Sequence, residues 1–172
     1  RRLTPDVVGA LIENGLYRVL LPKSLGGSEA PPETFMRMLE EIAKADASTA
    51  WCLGQCSVCA MIAAALDHDS AHEIFNTAPG ILAWGAVAHE ARAVEGGYRV
   101  TGTWSFASGG RHATWLGAHC PIYAADGSPR RDANGEQAER TMLVRTEDVE
   151  WTDIWNTVGL RGTASDQFAL ND

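Results

Sequence analysis

Two short segments gather the residue types that could do chemistry. The first, Trp104-Ser105-Phe106-Ala107-Ser108-Gly109-Gly110, follows a strand fed by the Gly96-Gly97 turn; the second ends in Arg161-Gly162-Thr163-Ala164-Ser165. Hydroxyls, small residues and backbone amides at this density suit contact with the face of a flat ligand. Ser108 would supply a hydroxyl, the amides of Ala107 and Gly109 further donors, and Trp104 and Phe106 an apolar wall. The Arg161 guanidinium can pair with anionic oxygens, Gly162 lets backbone approach closely, and Thr163 and Ser165 add hydroxyls. Structural readings stand beside these: Ser108 as a turn cap, Trp104 as core, Arg161 paired with Asp153 or Asp166.

Cysteines and histidines form the second group. Cys52, Cys56 and Cys59 have the spacing of the triad that holds an iron-sulfur cluster in radical enzymes using S-adenosylmethionine, but such a triad needs an exposed loop on which three thiolates converge. Here they lie in an apolar helical run, Ala50 to Leu66, and at i, i+4 and i+7 they share one face. They read as core or pocket-lining thiols, and no metal is assigned. Cys120 is isolated in an apolar strand, and no disulfide framework is expected. His112 lies just past the first segment, where it can brace the loop; His89 lies in the strands before it. His68 and His72 are four apart, but a helix start read at Ser70 separates them.

The elements that position these residues divide near Pro79-Gly80. Before it the spacing predicts helices: one capped by Thr4 with Pro5 in its first turn, Val7, Val8, Leu11 and Ile12 as its stripe and Gly15 as its stop. An extended piece from Leu16 to Pro22 and a loop through Gly27 follow. A second helix opens at Pro32-Glu33 with Phe35, Met36, Leu39, Ile42 and Ala43 inward, the third carries the cysteines, and a fourth begins at Ser70 with Glu73 completing a capping box. After Gly80 the period becomes two. Strands are expected at 81–88, 92–95, 98–104, 115–124, 141–146, 149–152 and 167–170, with a solvated excursion from Asp126 to Arg140.

The chain has 172 residues, 45% of them hydrophobic, and a formal charge of −8. It can bury one or two modest cores. No Lys/Arg cluster exceeds a pair, so a nucleic-acid partner is not expected. No apolar run is read as approaching the ~20 residues that cross a bilayer, and no membrane partner is expected. The location expected is cytoplasmic. Both ends read as cut.

Taken together, the motifs resemble the acyl-CoA dehydrogenase superfamily, over nearly all of the chain. Pro22-Lys23-Ser24-Leu25-Gly26-Gly27 stands where the family has a Pro-x-x-x-Gly-Gly turn, Ala45-Asp46-Ala47-Ser48-Thr49-Ala50-Trp51 where it has a small-residue helix entry, and the 96–110 and 155–165 segments match its middle domain. The resemblance implies an α+β fold: an N-terminal helical domain over residues 1–79, then an antiparallel β-barrel or sandwich domain over 80–172. A C-terminal helical bundle would follow, covering a flavin cleft and building a homotetramer. The dehydrogenases' Thr-Glu-Pro and Gly-Ser-Asp motifs are replaced around Ala83-Trp84-Gly85-Ala86-Val87-Ala88-His89. Their Trp-Ile-Thr-Asn-Gly is replaced by Trp104-Ser105-Phe106-Ala107-Ser108-Gly109, wording similar to the reduced-flavin monooxygenases of the superfamily.

That branch implies reduced FMN or FAD, O2, a separate flavin reductase and a small organic substrate. Trp104, Phe106, Ala107, Ser108, Gly109, Arg161 and Thr163 would face the cofactor, with Ser108 beside flavin N5 and, with His112 as a base near the substrate, catalytic. Trp51, Trp84 and Trp115 would wall the substrate. Cys59 would stand near the substrate, where some relatives carry a histidine, which speaks against phenol deprotonation from that position. An acyl-CoA dehydrogenase using FAD, and a non-catalytic fragment or interaction module, remain the alternatives.

Overall fold

The computed structural model describes residues 2–76 and 79–171. Helix α1 spans Pro5–Glu13, with Thr4 in the N-cap position but making no capping bond, and Gly15 turns the chain at φ 68°. Residues 16–22 are not simply extended as expected. The left-handed Gly15 leads into a 3-10 turn, Leu16–Arg18, which buries Tyr17. The chain then doubles back, the amides of Ser28, Glu29 and Ala30 bonding the carbonyls of Arg18, Leu21 and Val19. This return explains Gly27: a Cβ there would lie 1.9 Å from the Leu21 carbonyl oxygen.

Helix α2 spans Pro32–Ala45 and buries Phe35. Met36 is 62% exposed and Ala43 is also exposed, contrary to the inward placement expected for both. The apolar stripe is wider than the contact: Phe35, Leu39 and Ile42 pack, while Met36 and Ala43 line an open groove beside Trp51 and Val58. Helix α3, Ala47–Ala60, starts at Asp46, whose carboxylate accepts from the Thr49 hydroxyl at 2.6 Å and the Thr49 amide at 2.8 Å. Those bonds hold the Asp46 carboxyl below the usual carboxylate range.

With the 3-10 turn that follows it, α3 makes a 19-residue apolar stretch, Ala47–Ala65, of mean hydropathy 1.3. That corrects the reading that no such run exists. By length and composition it meets the requirement for a span, yet more than half of it is buried inside the fold, the pattern of a core helix.

Helix α4, His68–Phe75, begins two residues before Ser70, because Asp67 accepts from the Ser70 amide at 3.0 Å and takes the cap. His68 and His72 therefore do share a face, their ring centroids 4.1 Å apart.

The strands are β1 (Leu82–Gly85), β2 (Ala91–Val94), β3 (Gly97–Val100), β4 (Gly102–Ala107), β5 (Trp115–Tyr123), β6 (Glu139–Arg145), β7 (Glu150–Thr152) and β8 (Asp166–Leu170). β5 centres one sheet in the order β1-β5-β2-β3, with β6 also on β5; β4-β8-β7 forms the other. The sheets are not wholly antiparallel as expected, since β1 and β2 both run parallel to β5. The expected strand 98–104 breaks at Thr101, and its two halves join different sheets. The main core runs from Leu11, Tyr17, Cys52, Leu53 and Cys56 of the helical part to Trp104, Leu116 and Phe168 of the sheets. Burying these faces together is what fixes α3 against the strands.

Candidate functional site

A cleft of about 390 Å³ opens between α3, the end of β1, the end of β4 and the 155–165 segment. That volume lies in the range of roughly 300–1,000 Å³ usual for small-molecule sites. Trp51 and Gln55 project from α3, Trp84 from β1, Phe106 and Ser108 from the β4 exit, and Trp155, Thr163 and Ser165 from the second segment. Larger hollows beside Leu25, of about 500 and 710 Å³, contain neither segment.

The backbone around the cleft is held in costly conformations. Phe106, Leu160 and Ala164 have φ of 59°, 51° and 41°, a region L side chains rarely enter. β4 is irregular between Trp104 and Ala107, which turns Phe106 outward to 58% exposure and edge-on to Trp155 at 6.1 Å. Such conformations persist only where surrounding contacts over-determine them. Here the Gly109 amide bonds the Thr163 carbonyl at 3.1 Å, tying the two segments together. Gly109 itself has φ 75°, and a Cβ on it would meet the Cys56 sulfur at 2.9 Å. The small thiol and the missing Cβ let α3 lie against the loop.

Four side chains form one hydrogen-bonded chain along the cleft. Trp51 Nε1 donates to Ser108 Oγ at 3.0 Å; Ser108 Oγ and Ser165 Oγ are 2.7 Å apart, as are Ser165 Oγ and Thr163 Oγ1; Thr163 Oγ1 donates to the Leu160 carbonyl at 2.9 Å. The three hydroxyl residues are buried. Phe106, Ser108, Thr163, Trp51 and Trp84 thus meet in one place.

Other expected site residues lie elsewhere. Trp104 is fully buried, stacked on Phe168 at 5.5 Å with its Nε1 bonded to the His119 carbonyl, so it is core and not a ligand wall. Ala107 is also fully buried. Gly162 is small because Ser48 of α3 sits against it, a Cβ there lying 2.9 Å from the Ser48 Cβ. Arg161 is exposed and outside the cleft lining, and Asp166, one proposed partner for it, is taken by Arg111 at 2.8 Å. Cys59 is buried with Leu82 and Trp115 in a second core, where burial pushes its thiol up to about 12. Trp115 lies in that same core with Arg145 over its ring, away from the cleft. His89 packs edge-on to Trp104 at 5.4 Å. Among the described residues no three His, Cys, Asp or Glu converge as metal ligands.

His112 is corrected from substrate base to brace. It does not line the cleft; its Nε2 is 2.8 Å from the Tyr17 hydroxyl, joining the β4 exit to the turn after α1. Burial holds its pKa down at about 4, against 6.5 ordinarily. The unfolded chain therefore takes up this proton more readily than the folded one. Stability is full above pH 6.5 and falls as the pH drops toward 4, by up to about 3 kcal/mol. In urea unfolding at stepped pH, His112→Gln is expected to lose this part of the slope; an unchanged slope would refute the assignment.

One histidine that sequence reasoning passed over does line the cleft. His119 of β5 has Nδ1 2.8 Å from Thr141 Oγ1 and packs edge-on to Trp84 at 4.9 Å. It is the one ionisable side chain among the described cleft residues. Asp166 organises the second segment: one oxygen accepts from the amides of Ile154 and Trp155 at 3.2 and 3.1 Å, the other from Arg111.

Residues 1–72 match the family model described as acyl-CoA dehydrogenase, N-terminal domain. The whole chain is 32% identical to the flavin-dependent monooxygenase oxygenase subunit HsaA of Rhodococcus jostii (strain RHA1) and covers 44% of it. It is 30% identical to the indole-3-acetate monooxygenase of Pseudomonas putida, again over all of this chain and 42% of that protein. Among solved structures it resembles XiaF from Streptomyces sp. in complex with FADH2 and glycerol: TM-score 0.90, 31% identity, 99% of this chain and 42% of that one. Residues 1–72 thus resemble an acyl-CoA dehydrogenase N-terminal domain, the relatives of the whole chain include the oxygenase subunit of a flavin-dependent monooxygenase, and the chain spans less than half the length of these relatives.

Proposed function

We propose that this chain is the flavin-facing part of the oxygenase component of a two-component monooxygenase, one that accepts reduced FMN or FAD from a separate reductase and hydroxylates a small organic substrate. The observation that carries this reading is the cleft, where Trp51, Trp84, Phe106 and Trp155 offer aromatic surface beside the buried hydroxyls of Ser108, Thr163 and Ser165. Its size and flat walls fit a flavin ring, and its similarity to XiaF with FADH2 supports the choice.

When bound, reduced flavin supplies activation of O2 and transfer of one oxygen atom to the substrate. The chain's part is to bind, orient and keep dry. The indoles and Phe106 exclude water from the ring face, a requirement where an oxygen-reactive group must not leak peroxide. Ser108 fixes the ring edge. His119, steadied by Thr141 and Trp84, is the side chain suited to hold or move a proton at the substrate end, the role the sequence suggested for His112. Homo-oligomerisation and a cytoplasmic location complete the proposal.

The test is an oxygen pulse delivered to the full-length protein mixed anaerobically with photoreduced FMN or FAD. The expected result is slower return of oxidised-flavin absorbance and slower peroxide release than from free flavin. Reoxidation at the free-flavin rate, with bleaching of bound oxidised flavin by an acyl-CoA, would replace this reading with the dehydrogenase. No flavin interaction at all would leave a structural module.

A further inference from the structure

The hydroxyl chain in the cleft has a direction. Each Ser or Thr hydroxyl carries one proton to donate. Thr163 donates its proton to the Leu160 carbonyl, so at the 2.7 Å contact Ser165 donates to Thr163. Ser165 has then spent its proton, so at the next 2.7 Å contact Ser108 donates to Ser165. Trp51 can only donate, and it donates to Ser108. All four links therefore run one way, from the indole through three hydroxyls to a backbone carbonyl. Ser108 is left with an unused lone pair and no proton for the cleft.

Resting on the flavin reading above, we infer that Ser165 and Thr163 are positioning residues that turn the Ser108 hydroxyl inward, so that Ser108 meets the ligand as a hydrogen-bond acceptor. This reverses the donor role the sequence suggested for Ser108. The distinction selects between redox states of one ligand. Two-electron reduction converts flavin N5 from a bare acceptor into an N–H donor, and only the reduced ring complements an acceptor at Ser108. For Ser108 to donate to oxidised flavin instead, its bond to Ser165 must break, or the chain must reverse so that Thr163 donates to Ser165 and Ser165 to Ser108. Reversal forfeits the Thr163 hydroxyl bond to Leu160. Loss of one neutral hydrogen bond corresponds to a preference of roughly three- to tenfold for the reduced ring.

The test is equilibrium binding of oxidised FMN and FAD, and of the same flavins photoreduced under anaerobic conditions, to the full-length protein and three variants. The quantity read is the ratio of the two dissociation constants, which a general loss of affinity does not move. Ser165→Ala leaves the Ser108 proton without its inward acceptor, and Thr163→Val leaves the Ser165 proton free to turn toward Ser108. Each is expected to lower the preference for reduced flavin by about three- to tenfold. Thr163→Ser keeps the hydroxyl and is expected to keep the ratio. A ratio unchanged in both Ser165→Ala and Thr163→Val, with flavin still bound, would overturn the inference and leave the flavin reading standing. So would an equal drop in Thr163→Ser and Thr163→Val. Failure of the unaltered protein to bind either redox form would overturn the flavin reading, and this inference with it. Should Thr163→Val fail to fold, Ser165→Ala decides the matter alone.

Discussion

Replacing Asp166 with Ala is expected to lower the unfolding free energy by about 3–5 kcal/mol and to unseat Trp155 from the cleft. Asp166 is buried, and it closes the 155–165 segment from within by accepting two amides on one oxygen and Arg111 on the other. Removing the carboxylate orphans both amides and leaves the guanidinium, itself packed 4.6 Å from the centre of the Trp151 ring, without its counter-charge. Breaking a buried pair from one side is costly because the remaining charge stays uncompensated. Asp166→Asn retains an amide acceptor and is expected to lose roughly half as much. Urea unfolding gives the free energies, and tryptophan emission reports the indole. A loss below about 1 kcal/mol in Asp166→Ala would mean that Arg111 and the segment have other anchors.

Trp104→Ala is expected to cost a similar amount, about 3–5 kcal/mol, by opening a cavity at the centre of the main core. The indole is fully buried between Phe168 and His89, and its loss also removes one of two donors to the His119 carbonyl, Nε1 at 3.1 Å, leaving the His89 amide at 3.3 Å. Because His119 lines the cleft, the same change is expected to disturb the site indirectly. Thermal and urea unfolding measure the first effect. If Trp104→Ala instead left stability within about 0.5 kcal/mol and abolished flavin binding, the indole would be a ligand wall after all.

The particular residues show what was legible in the sequence. The cysteine face was, since three small apolar side chains at i, i+4 and i+7 can lie on one side of a helix only. The turn at Gly26-Gly27 and the loop at Ser108-Gly109 were also visible, because glycine at a tight crossing or positive φ leaves its mark in composition. Phe106 left none: its φ of 59° is imposed by the β4 irregularity and by contacts across to the second segment. Met36 and Ala43 fit the helical stripe, but periodicity cannot tell how much of a stripe finds a partner. Ser70 carried the cap signal that was read, but Asp67, three residues earlier, takes the cap in the fold. His119 had a signal that was overlooked, as the lone imidazole on the half-buried side of an otherwise apolar strand. The direction of the hydroxyl chain was out of reach, because it depends on a Thr163 proton committed to a carbonyl three residues away.

In the proposed function flavin sits against the β4 exit and the 155–165 segment. Hydrogen exchange of the full-length protein, read by peptide mass with and without reduced flavin under anaerobic conditions, addresses that directly. Slowed exchange is expected in peptides covering residues 104–110 and 155–165, with Ser108→Ala weakening the effect. Protection confined to the hollows beside Leu25, with both cleft segments exchanging as they do without flavin, would contradict that placement.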